Sequence, residues 1–246
     1  MIRVRIPPEA VRGDTVTVAS PQTLHHLRHV RRVKPGDPLE CVDGEGHRYA
    51  GRVFRCAKRT LLVRIEAQTV EPTGPLRVWL GQALIKPDRF DWVIQKATEL
   101  GVDRLTPLLT ARTIARAAPP QLERKRLRWQ RIAEAACAQC GRAVMPMIDA
   151  PMTLKAFLPQ LDLAACVIMP TLAVPAAVSL QAAVSRAPAD EAVAALIGPE
   201  GDFTREEVEM AQRFKAIPVS LGRLTLRSDT AALATLTMLQ AARGSL

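Results

Sequence analysis

In the first part of the chain, apolar and polar residues alternate in short runs separated by turn residues. This period of two predicts strands over residues 2–6, 15–19, 39–42, 49–56 and 61–66. Ser20-Pro21 predicts a helix that runs to Arg31, because Ser caps helix N-termini and Pro suits the first helical position. Asp43-Gly44-Glu45-Gly46 predicts a hairpin turn. Many short strands with a single helix predict a small β-barrel.

The pattern changes after segment 71–75, whose Pro and Gly residues predict a linker. Beyond it, uniformly apolar runs predict strands over 76–84, 105–109, 144–148, 164–169, 193–197 and 217–221. Amphipathic stretches predict a helix capped by Asp88, a long helix from Pro119, and helices near Pro151, Pro175, Thr204 and Asp229. Apolar strands that alternate with helices are typical of an α/β domain with a mostly parallel sheet. The chain is therefore predicted to contain two domains, 1–72 and 73–246.

Three late strands end in unusual loops, namely 168–171, 197–201 and 221–227. Ligands of open α/β sheets bind beyond the carboxyl ends of the strands, and the glycines in two of these loops let a ligand approach the backbone closely. The glycine spacing matches neither a phosphate-binding loop nor a dinucleotide fingerprint. The loops predict a ligand site of another kind, with purely structural turns as the alternative.

The net charge of the chain indicates the class of partner that the protein binds. The 246 residues contain 34 Lys and Arg against 24 Asp and Glu, a net charge of +10, and 48% of them are hydrophobic. A basic folded protein of this kind attracts polyanions, nucleic acid ahead of anionic membrane. Aromatic residues make up only 4%, which argues against a broad stacking platform for single-stranded bases. Phosphate contacts are therefore expected to hold the nucleic acid.

The excess charge is concentrated in two places. Segment 112–142 has eight Lys and Arg against two Glu, a net +6, and a second cluster covers 28–34. A solvated helix face normally mixes both signs, so we favour a phosphate-binding surface over that alternative. Two patches on two domains suit a large, folded RNA. The predicted RNA-binding residues are Arg28, Arg31, Arg32, Arg112, Arg124, Arg128 and Arg131.

Several other classes of protein are disfavoured. The uncharged stretch 163–178 is interrupted by Pro170 and Pro175, and the N-terminus does not resemble a signal peptide, so we expect a cytoplasmic protein with reduced thiols and no membrane partner. No metal is predicted, because Cys137-x-x-Cys140 lacks a second pair of ligands. A Ser-His-Asp hydrolase is disfavoured because every His lies in the first domain and no nucleophile elbow is present.

Five motifs occur in order along the chain: Lys86-Pro87-Asp88-Arg89-Phe90, the segment 95–102, Gln139-Cys140-Gly141-Arg142, the segment 196–201, and Leu221-Gly222 with the segment 226–231. Together they resemble the bacterial small-subunit ribosomal RNA uracil-N3 methyltransferases of the SPOUT superfamily. His25-His26-Leu27 and Gly36-Asp37 resemble the N-terminal PUA-like domain of that family. The resemblance extends over nearly the whole chain.

This resemblance implies an enzyme that uses S-adenosylmethionine to methylate N3 of one uridine in 16S rRNA of the small ribosomal subunit. It also implies a homodimer with its active site near the subunit interface, and a trefoil knot in the C-terminal half. The pattern of the sequence alone would not predict a knot, because threaded chains are nearly absent from proteins. The cofactor is expected where the three loops meet, at Met169, Leu196, Ile197, Gly198, Pro199, Glu200, Gly201, Leu221, Gly222, Leu224 and Leu226.

The chemistry calls for two kinds of side chain. Uracil N3 carries a proton, so methylation needs a base and a group that stabilises the developing anion. Arg142 or Arg227 is the candidate for the second role, and Glu200 or Asp229 for orienting the base or accepting the proton. The alternatives are that Arg227 and Asp229 cap and pair at a helix start, and that Glu200 only braces its loop.

Three positions depart from the family pattern. Asp202 stands where Gly is usual, Asp229 where Glu is usual, and Ala138 where Glu is common. Two other functions stay open: a non-catalytic ribosome-assembly factor that binds RNA, and a SPOUT methyltransferase that acts on another RNA position. The intact glycine loops argue against the first, because a pure RNA-binding protein has no need of them.

Overall fold

The computed structural model describes residues 1–71, 77–113, 119–175, 178–185 and 191–242. The chain divides into two compact units. The first comprises Met1–Thr73 with Cys137–Met145, and the second Gly74–Ala136 with Pro146–Leu246. The predicted linker falls almost entirely outside the described residues. None of the described helices is both long and apolar enough to cross a membrane.

The first unit is built on a six-stranded sheet in the order β1-β4-β5-β6-β3-β2. β1 and β4 are parallel, and the other neighbours are antiparallel. The strands are β1 (Ile2–Arg5), β2 (Val11–Arg12), β3 (Thr15–Val18), β4 (Pro38–Val42), β5 (His47–Ala57) and β6 (Thr60–Val70). Gly51 marks an irregularity in β5, where a Cβ atom would lie 2.0 Å from the Arg64 carbonyl oxygen of β6. Only glycine permits that close approach of the two strands.

The predicted helix after β3 is present. Helix α1 (Pro21–His25) is followed without a break by a π-helical turn, His26–Val30. The predicted cap is confirmed, because the Ser20 hydroxyl accepts a hydrogen bond from the Thr23 N–H at 3.4 Å and Pro21 takes the first helical position. Leu24 and Leu27 are buried with side chains of the sheet, which fixes the helix on the core of this unit.

The second unit contains a parallel sheet in the order β10-β8-β7-β13-β11-β14-β12, with β9 beside β8. Its strands are β7 (Val78–Ala83), β8 (Arg104–Leu109), β9 (Met147–Ile148), β10 (Met152–Thr153), β11 (Cys166–Pro170), β12 (Val178–Ser179), β13 (Val193–Ile197) and β14 (Ala216–Ser220). Its helices are α2 (Pro87–Glu99), α3 (Pro119–Cys140), α4 (Leu154–Phe157), α5 (Leu180–Val184), α6 (Arg205–Arg213) and α7 (Ser228–Ala242). The last turn of α3 belongs to the first unit. The predicted α/β fold with a mostly parallel sheet is confirmed.

Both faces of this sheet are buried. Along β7, Val78 and Leu80 contribute to one apolar cluster and Trp79 to another, because successive side chains of a strand point to opposite faces. β13 repeats the alternation, with Ala195 and Ile197 in the first cluster and Leu196 in the second. Burial on both sides explains why the sequence of these strands is uniformly apolar.

Two local predictions were wrong. Asp88 does not cap α2: the N-cap position is Lys86, and Asp88 lies in the first helical turn. The strand predicted over 144–148 is reduced to Met147–Ile148, because Val144 forms β-bridges with Gly44 and Glu45 of the first unit instead. Sequence patterns show that a residue is extended without showing which strand it joins.

Candidate active site

A cleft lies at the carboxyl ends of β11, β13 and β14 in the second unit. These strands are adjacent and parallel in the sheet, so their final residues and following loops meet at one edge. The cleft encloses about 640 Å³, part of it open to solvent. It is lined by Pro170, Thr171, Leu172, Ile197, Gly198, Pro199, Glu200, Asp202, Val219, Ser220, Leu221, Gly222, Leu224, Thr225, Leu226, Ser228 and Ala231. A space of this size is typical of small-molecule sites.

The structure brings together most of the predicted cofactor residues. The ones that line the cleft are Ile197, Gly198, Pro199, Glu200, Leu221, Gly222, Leu224 and Leu226. Met169 and Leu196 do not, because both side chains are fully buried in the apolar cluster on one face of the sheet. Gly201 does not line it either, and faces the Arg112 side chain.

Sequence reasoning missed several polar residues of the cleft. Thr171, Asp202, Ser220, Thr225 and Ser228 all line it. Thr171 and Thr225 lie inside the predicted loops, and the other three each lie one residue beyond a loop end, so loops extended by one residue include them all. Their hydroxyl and carboxylate groups give the cleft its hydrogen-bonding capacity.

A buried hydrogen-bond chain forms the floor of the cleft. The Gln82 amide nitrogen donates to the Ser228 hydroxyl at 2.9 Å, and that hydroxyl donates to the Gly198 carbonyl. Gln82 is fully buried in β7, and Ser228 is the first residue of α7. The chain thus joins a central strand, a helix start and the loop after β13.

Asp202 connects two walls of the cleft. Its Oδ2 accepts hydrogen bonds from the Thr171 hydroxyl at 2.9 Å and from the Leu172 N–H at 2.6 Å, while its Oδ1 accepts one from the Phe203 N–H at 2.7 Å. Its backbone is left-handed, with φ +61°. Non-glycine residues adopt that conformation rarely, and Asp is among those that tolerate it best.

The cleft is acidic inside a basic protein. Among the described residues that line it, Glu200 and Asp202 are the charged ones, and none is Lys, Arg or His. The Glu200 side chain accepts a hydrogen bond from the Lys86 backbone N–H at 3.3 Å and is otherwise exposed. Such a lining favours a neutral or cationic ligand and disfavours a phosphate, which needs cations or clustered N–H groups.

Asp229, a predicted catalytic residue, is buried outside the cleft lining. Its carboxylate pairs with Arg89 of α2 at 3.0 Å, and its own side-chain exposure is 5%. It also lies in the first turn of α7, where the helix dipole favours an anion. These contacts favour the alternative in which Asp229 holds two helices together.

The two candidate arginines lie in different units. Arg227 is exposed and joins Leu226 of the cleft to Ser228, and its carbonyl accepts the Ala231 N–H at 2.8 Å as α7 begins. Arg142 is half-buried in the segment Cys137–Met145 of the first unit.

The predicted RNA-binding arginines fall into two groups. Some are committed to protein contacts: Arg28 donates to the carbonyls of Ala57, Lys58 and Thr60, and Arg128 pairs with Asp91. The others are exposed and form no ion pair within the described residues; they are Arg31, Arg32, Arg124 and Arg131.

Arg112 belongs to the committed group. Its guanidinium donates to the Gly201 carbonyl at 2.6 Å and the Phe203 carbonyl at 3.4 Å, so it braces the loop that carries Glu200 and Asp202. The pKa of the nearby Glu206 carboxyl is lowered by hydrogen bonds from its own backbone and from Thr204, with a smaller contribution from the positive charge of Arg112.

No group of three or more His, Cys, Asp and Glu within the described residues is placed to hold a metal ion. Cys137 and Cys140 lie in the last turn of α3, and the Cys140 thiol contacts the Cys137 carbonyl.

Comparison with known proteins matches both parts of the chain. Residues 72–240 match the family model of an RNA methyltransferase domain, and residues 20–66 that of an RNA methyltransferase PUA domain. The chain is 32% identical to ribosomal RNA small subunit methyltransferase E of Synechocystis, over 93% of this chain and 74% of the relative. It is 28% identical to the protein of the same name from Bacillus subtilis, over 86% and 84% respectively.

Solved structures agree. Ribosomal RNA small subunit methyltransferase E from Neisseria gonorrhoeae, bound to S-adenosylmethionine, superposes with a TM-score of 0.83 at 27% identity, over 98% of this chain and 97% of that one. A Legionella pneumophila protein in complex with the same cofactor gives a TM-score of 0.85 at 31% identity, with the same coverage.

Fold, cleft and matches define the class of this protein as an RNA methyltransferase that carries a PUA domain. Within that class, the chain belongs to the family of ribosomal RNA small subunit methyltransferase E. The family predicted from the five ordered motifs is thereby confirmed.

The Arg89–Asp229 pair leads to a stability prediction. Replacing Asp229 by Ala is expected to lower the free energy of unfolding by about 1–3 kcal/mol, because it leaves Arg89 without its partner and removes an anion from the start of α7. Since Arg89 is half-exposed, Arg89→Ala is expected to cost less. Urea unfolding of both single variants and the double variant gives the coupling energy.

The exposed pair Arg205–Glu209 of α6 is the matched control, and its coupling is expected to stay below about 0.5 kcal/mol. Equal coupling energies for the two pairs would contradict a structural role of Asp229.

Proposed function

We propose that this protein transfers the methyl group of S-adenosylmethionine to N3 of one specific uridine in 16S rRNA of the small ribosomal subunit. The observation that carries the proposal is the cleft at the ends of β11, β13 and β14, whose lining suits a cationic, partly apolar cofactor. Membership of the small subunit methyltransferase E family supports the reaction, and the cofactor complexes of two similar structures support the donor.

The groups of the cleft fit the parts of this cofactor. Leu221, Leu224 and Leu226 offer apolar surface to an adenine ring. The hydroxyls of Thr171 and Ser220, together with loop backbone groups, can bond to ribose oxygens. Within the described residues, neither Glu200 nor Asp202 forms an ion pair, which suits a donor that carries both an ammonium and a sulfonium. A nucleoside triphosphate is disfavoured, because none of the described residues that line the cleft is a Lys, Arg or His that could pair with its phosphates.

The bound donor supplies an electrophilic methyl group, so the chain has to align the uracil and handle its N3 proton. Glu200 is the candidate for orienting the base or accepting that proton, because its exposed carboxylate lines the cleft. The negative charge that develops on the uracil oxygens needs a cation nearby. Arg142 or Arg227 is the candidate for that role.

We further propose that residues 1–72 form a PUA-like β-barrel that binds RNA and residues 73–246 the methyltransferase domain. The exposed arginines Arg31, Arg32, Arg124 and Arg131 are available for phosphates, which suits placement of a folded RNA by its backbone. A cytoplasmic location follows from the proposed substrate.

A homodimer and a C-terminal trefoil knot complete the proposal. The strand order supports threading: β13 lies between β7 and β11 although it follows both in sequence, and β14 lies on the far side of β11. Exposed Leu172 and Leu224 at the cleft support a partner surface there, since 70% and 79% of these residues face solvent.

The reaction itself can be tested directly. Small subunits from cells that lack the gene, incubated with purified protein and S-adenosylmethionine, are expected to gain N3-methyluridine, detected by mass spectrometry of nucleosides. Appearance of a different methylated nucleoside would support a methyltransferase acting on another position. Cofactor binding and subunit binding without any methyl transfer would support the assembly-factor alternative.

A second prediction concerns the cofactor loops. Gly222 has φ +116°, a conformation that a β-branched residue cannot adopt without strain, and it lines the cleft. Gly222→Val is expected to weaken S-adenosylmethionine binding at least tenfold in calorimetry, because the loop must move. Gly13→Val is the control: Gly13 also has a positive φ and open space around it, and it does not line the cleft. Wild-type affinity in Gly222→Val would refute the assignment.

A third prediction concerns Arg142. Arg142→Ala is expected to lower turnover about 100-fold or more, the usual effect of removing a group that stabilises transition-state charge. Cofactor affinity should stay within about twofold of wild type, because the proposed role is directed at the uracil. Arg213→Ala, at an exposed position of α6, is the control for loss of one surface charge. Unchanged turnover in Arg142→Ala would eliminate this residue.

A further inference from the structure

Asp202 lies on the wall of the cleft in which the cofactor is proposed to bind. A carboxylate is held there in spite of a left-handed backbone, at φ +61°, where glycine would be free of strain. Its Oδ1 lies so close to Gly198 that a Cβ atom at that position would be 3.1 Å away. The side chain is therefore confined between the loop after β11 and the loop after β13.

Uncharged groups hold this carboxylate in place. Its three bonding partners are the Thr171 hydroxyl and the backbone N–H groups of Leu172 and Phe203, all of them uncharged. Within the described residues it forms no ion pair with a cation. Glu200, the other carboxylate of the lining, is exposed to water, whereas Asp202 is only partly exposed. Water screens the charge of Asp202 less, so it acts more strongly on a ligand in the cleft.

The proposed reaction changes the charge of the ligand beside it. The bond between the methyl carbon and sulfur breaks, its electron pair stays on sulfur, and the carbon bonds to uracil N3, whose proton passes to a base. The donor has an ammonium, a sulfonium and a carboxylate, a net +1. The product S-adenosylhomocysteine has lost the sulfonium charge and is neutral overall.

We propose that Asp202 is the residue by which the cleft discriminates between donor and product, binding the cationic donor more tightly than the neutral thioether. The inference rests on the proposed function. Its consequence is that methyl transfer itself weakens the hold of the cleft on its ligand, so exchange of product for fresh donor is favoured. The hydrogen bonds of Asp202 give it a second effect, because they also fix the wall formed by Thr171 and Leu172.

Two substitutions separate the effect of the Asp202 charge from the effect of its hydrogen bonds to the cleft wall. Asp202→Asn removes the charge and keeps one oxygen that can accept from Thr171 and Leu172, while its NH2 group replaces the oxygen that accepts from the Phe203 N–H. Asn tolerates a left-handed backbone. Asp202→Gly suits the backbone equally well but removes both the charge and the bonds across the cleft. Asp162→Asn is the matched control, because Asp162 is exposed in the turn Leu158–Leu163 and does not line the cleft.

The measurement is the dissociation constant of the full-length protein for S-adenosylmethionine and for S-adenosylhomocysteine, by calorimetry, with thermal unfolding as a check of folding. Asp202→Asn is expected to weaken donor binding about tenfold, the effect of one unit charge at several ångströms in a partly buried site, and product binding less than about twofold. Asp202→Gly should weaken the binding of both ligands. Asp162→Asn should leave the ratio of the two constants unchanged.

Unchanged affinity of Asp202→Asn for both ligands would overturn the inference and leave the proposed function intact. Equal weakening of donor and product by Asp202→Asn would overturn it as well, because the role of Asp202 would then be structural. Absence of binding of either ligand to the wild-type protein would overturn the proposed function, and this inference with it.

Discussion

The buried chain from Gln82 through Ser228 to the Gly198 carbonyl is the constraint on which the cleft depends. Three segments far apart in sequence contribute one polar group each, at a place where the side chains of Gln82 and Ser228 have little or no access to water. A buried polar group left without a partner costs far more than a bond at the surface is worth, so the three segments can satisfy one another in only a few arrangements. The start of α7 and the loop after β13 are thereby fixed relative to the central strand β7.

The walls of the cleft are also held by hydrogen bonds between segments that are far apart in sequence, here nearer the surface. Arg112 donates to two carbonyls of the loop after β13, Asp202 accepts from the loop after β11, and Glu207 accepts from the Ala111 N–H at 2.7 Å while closing the capping box with Thr204. These are side chain–backbone bonds, which fix loops that have no regular ladder of their own. The consequence is a preformed site, whose ligand does not have to supply the free energy of ordering the loops.

The features that sequence predicted well are those with a local cause. The cap at Ser20-Pro21, the helix near Thr204, which begins with a capping box, and the apolar runs of β7 and β13 each arise from neighbours in the chain or from burial on both faces of one sheet. The roles of Arg28 and Arg112 have no such cause. Their positions in basic segments predict phosphate contacts, whereas both guanidiniums bond to carbonyls 29 to 91 residues away. Every residue has a backbone carbonyl, so the sequence does not show which carbonyl will accept a hydrogen bond from an arginine. A count of charges therefore does not predict this kind of partner. Asp202 was noted only as a departure from the family pattern, since its partner Thr171 becomes its neighbour through folding.

The charge of the cleft lining is opposite in sign to the net charge of the protein. A net charge of +10 attracts RNA from a distance, yet no Lys, Arg or His lies among the described residues that line the cleft. A phosphate group that entered the cleft would lose its hydration and meet the carboxylates of Glu200 and Asp202, which is unfavourable. An uncharged ligand does not face that penalty. The lining of the cleft therefore disfavours phosphate groups and suits a ligand that is cationic or uncharged.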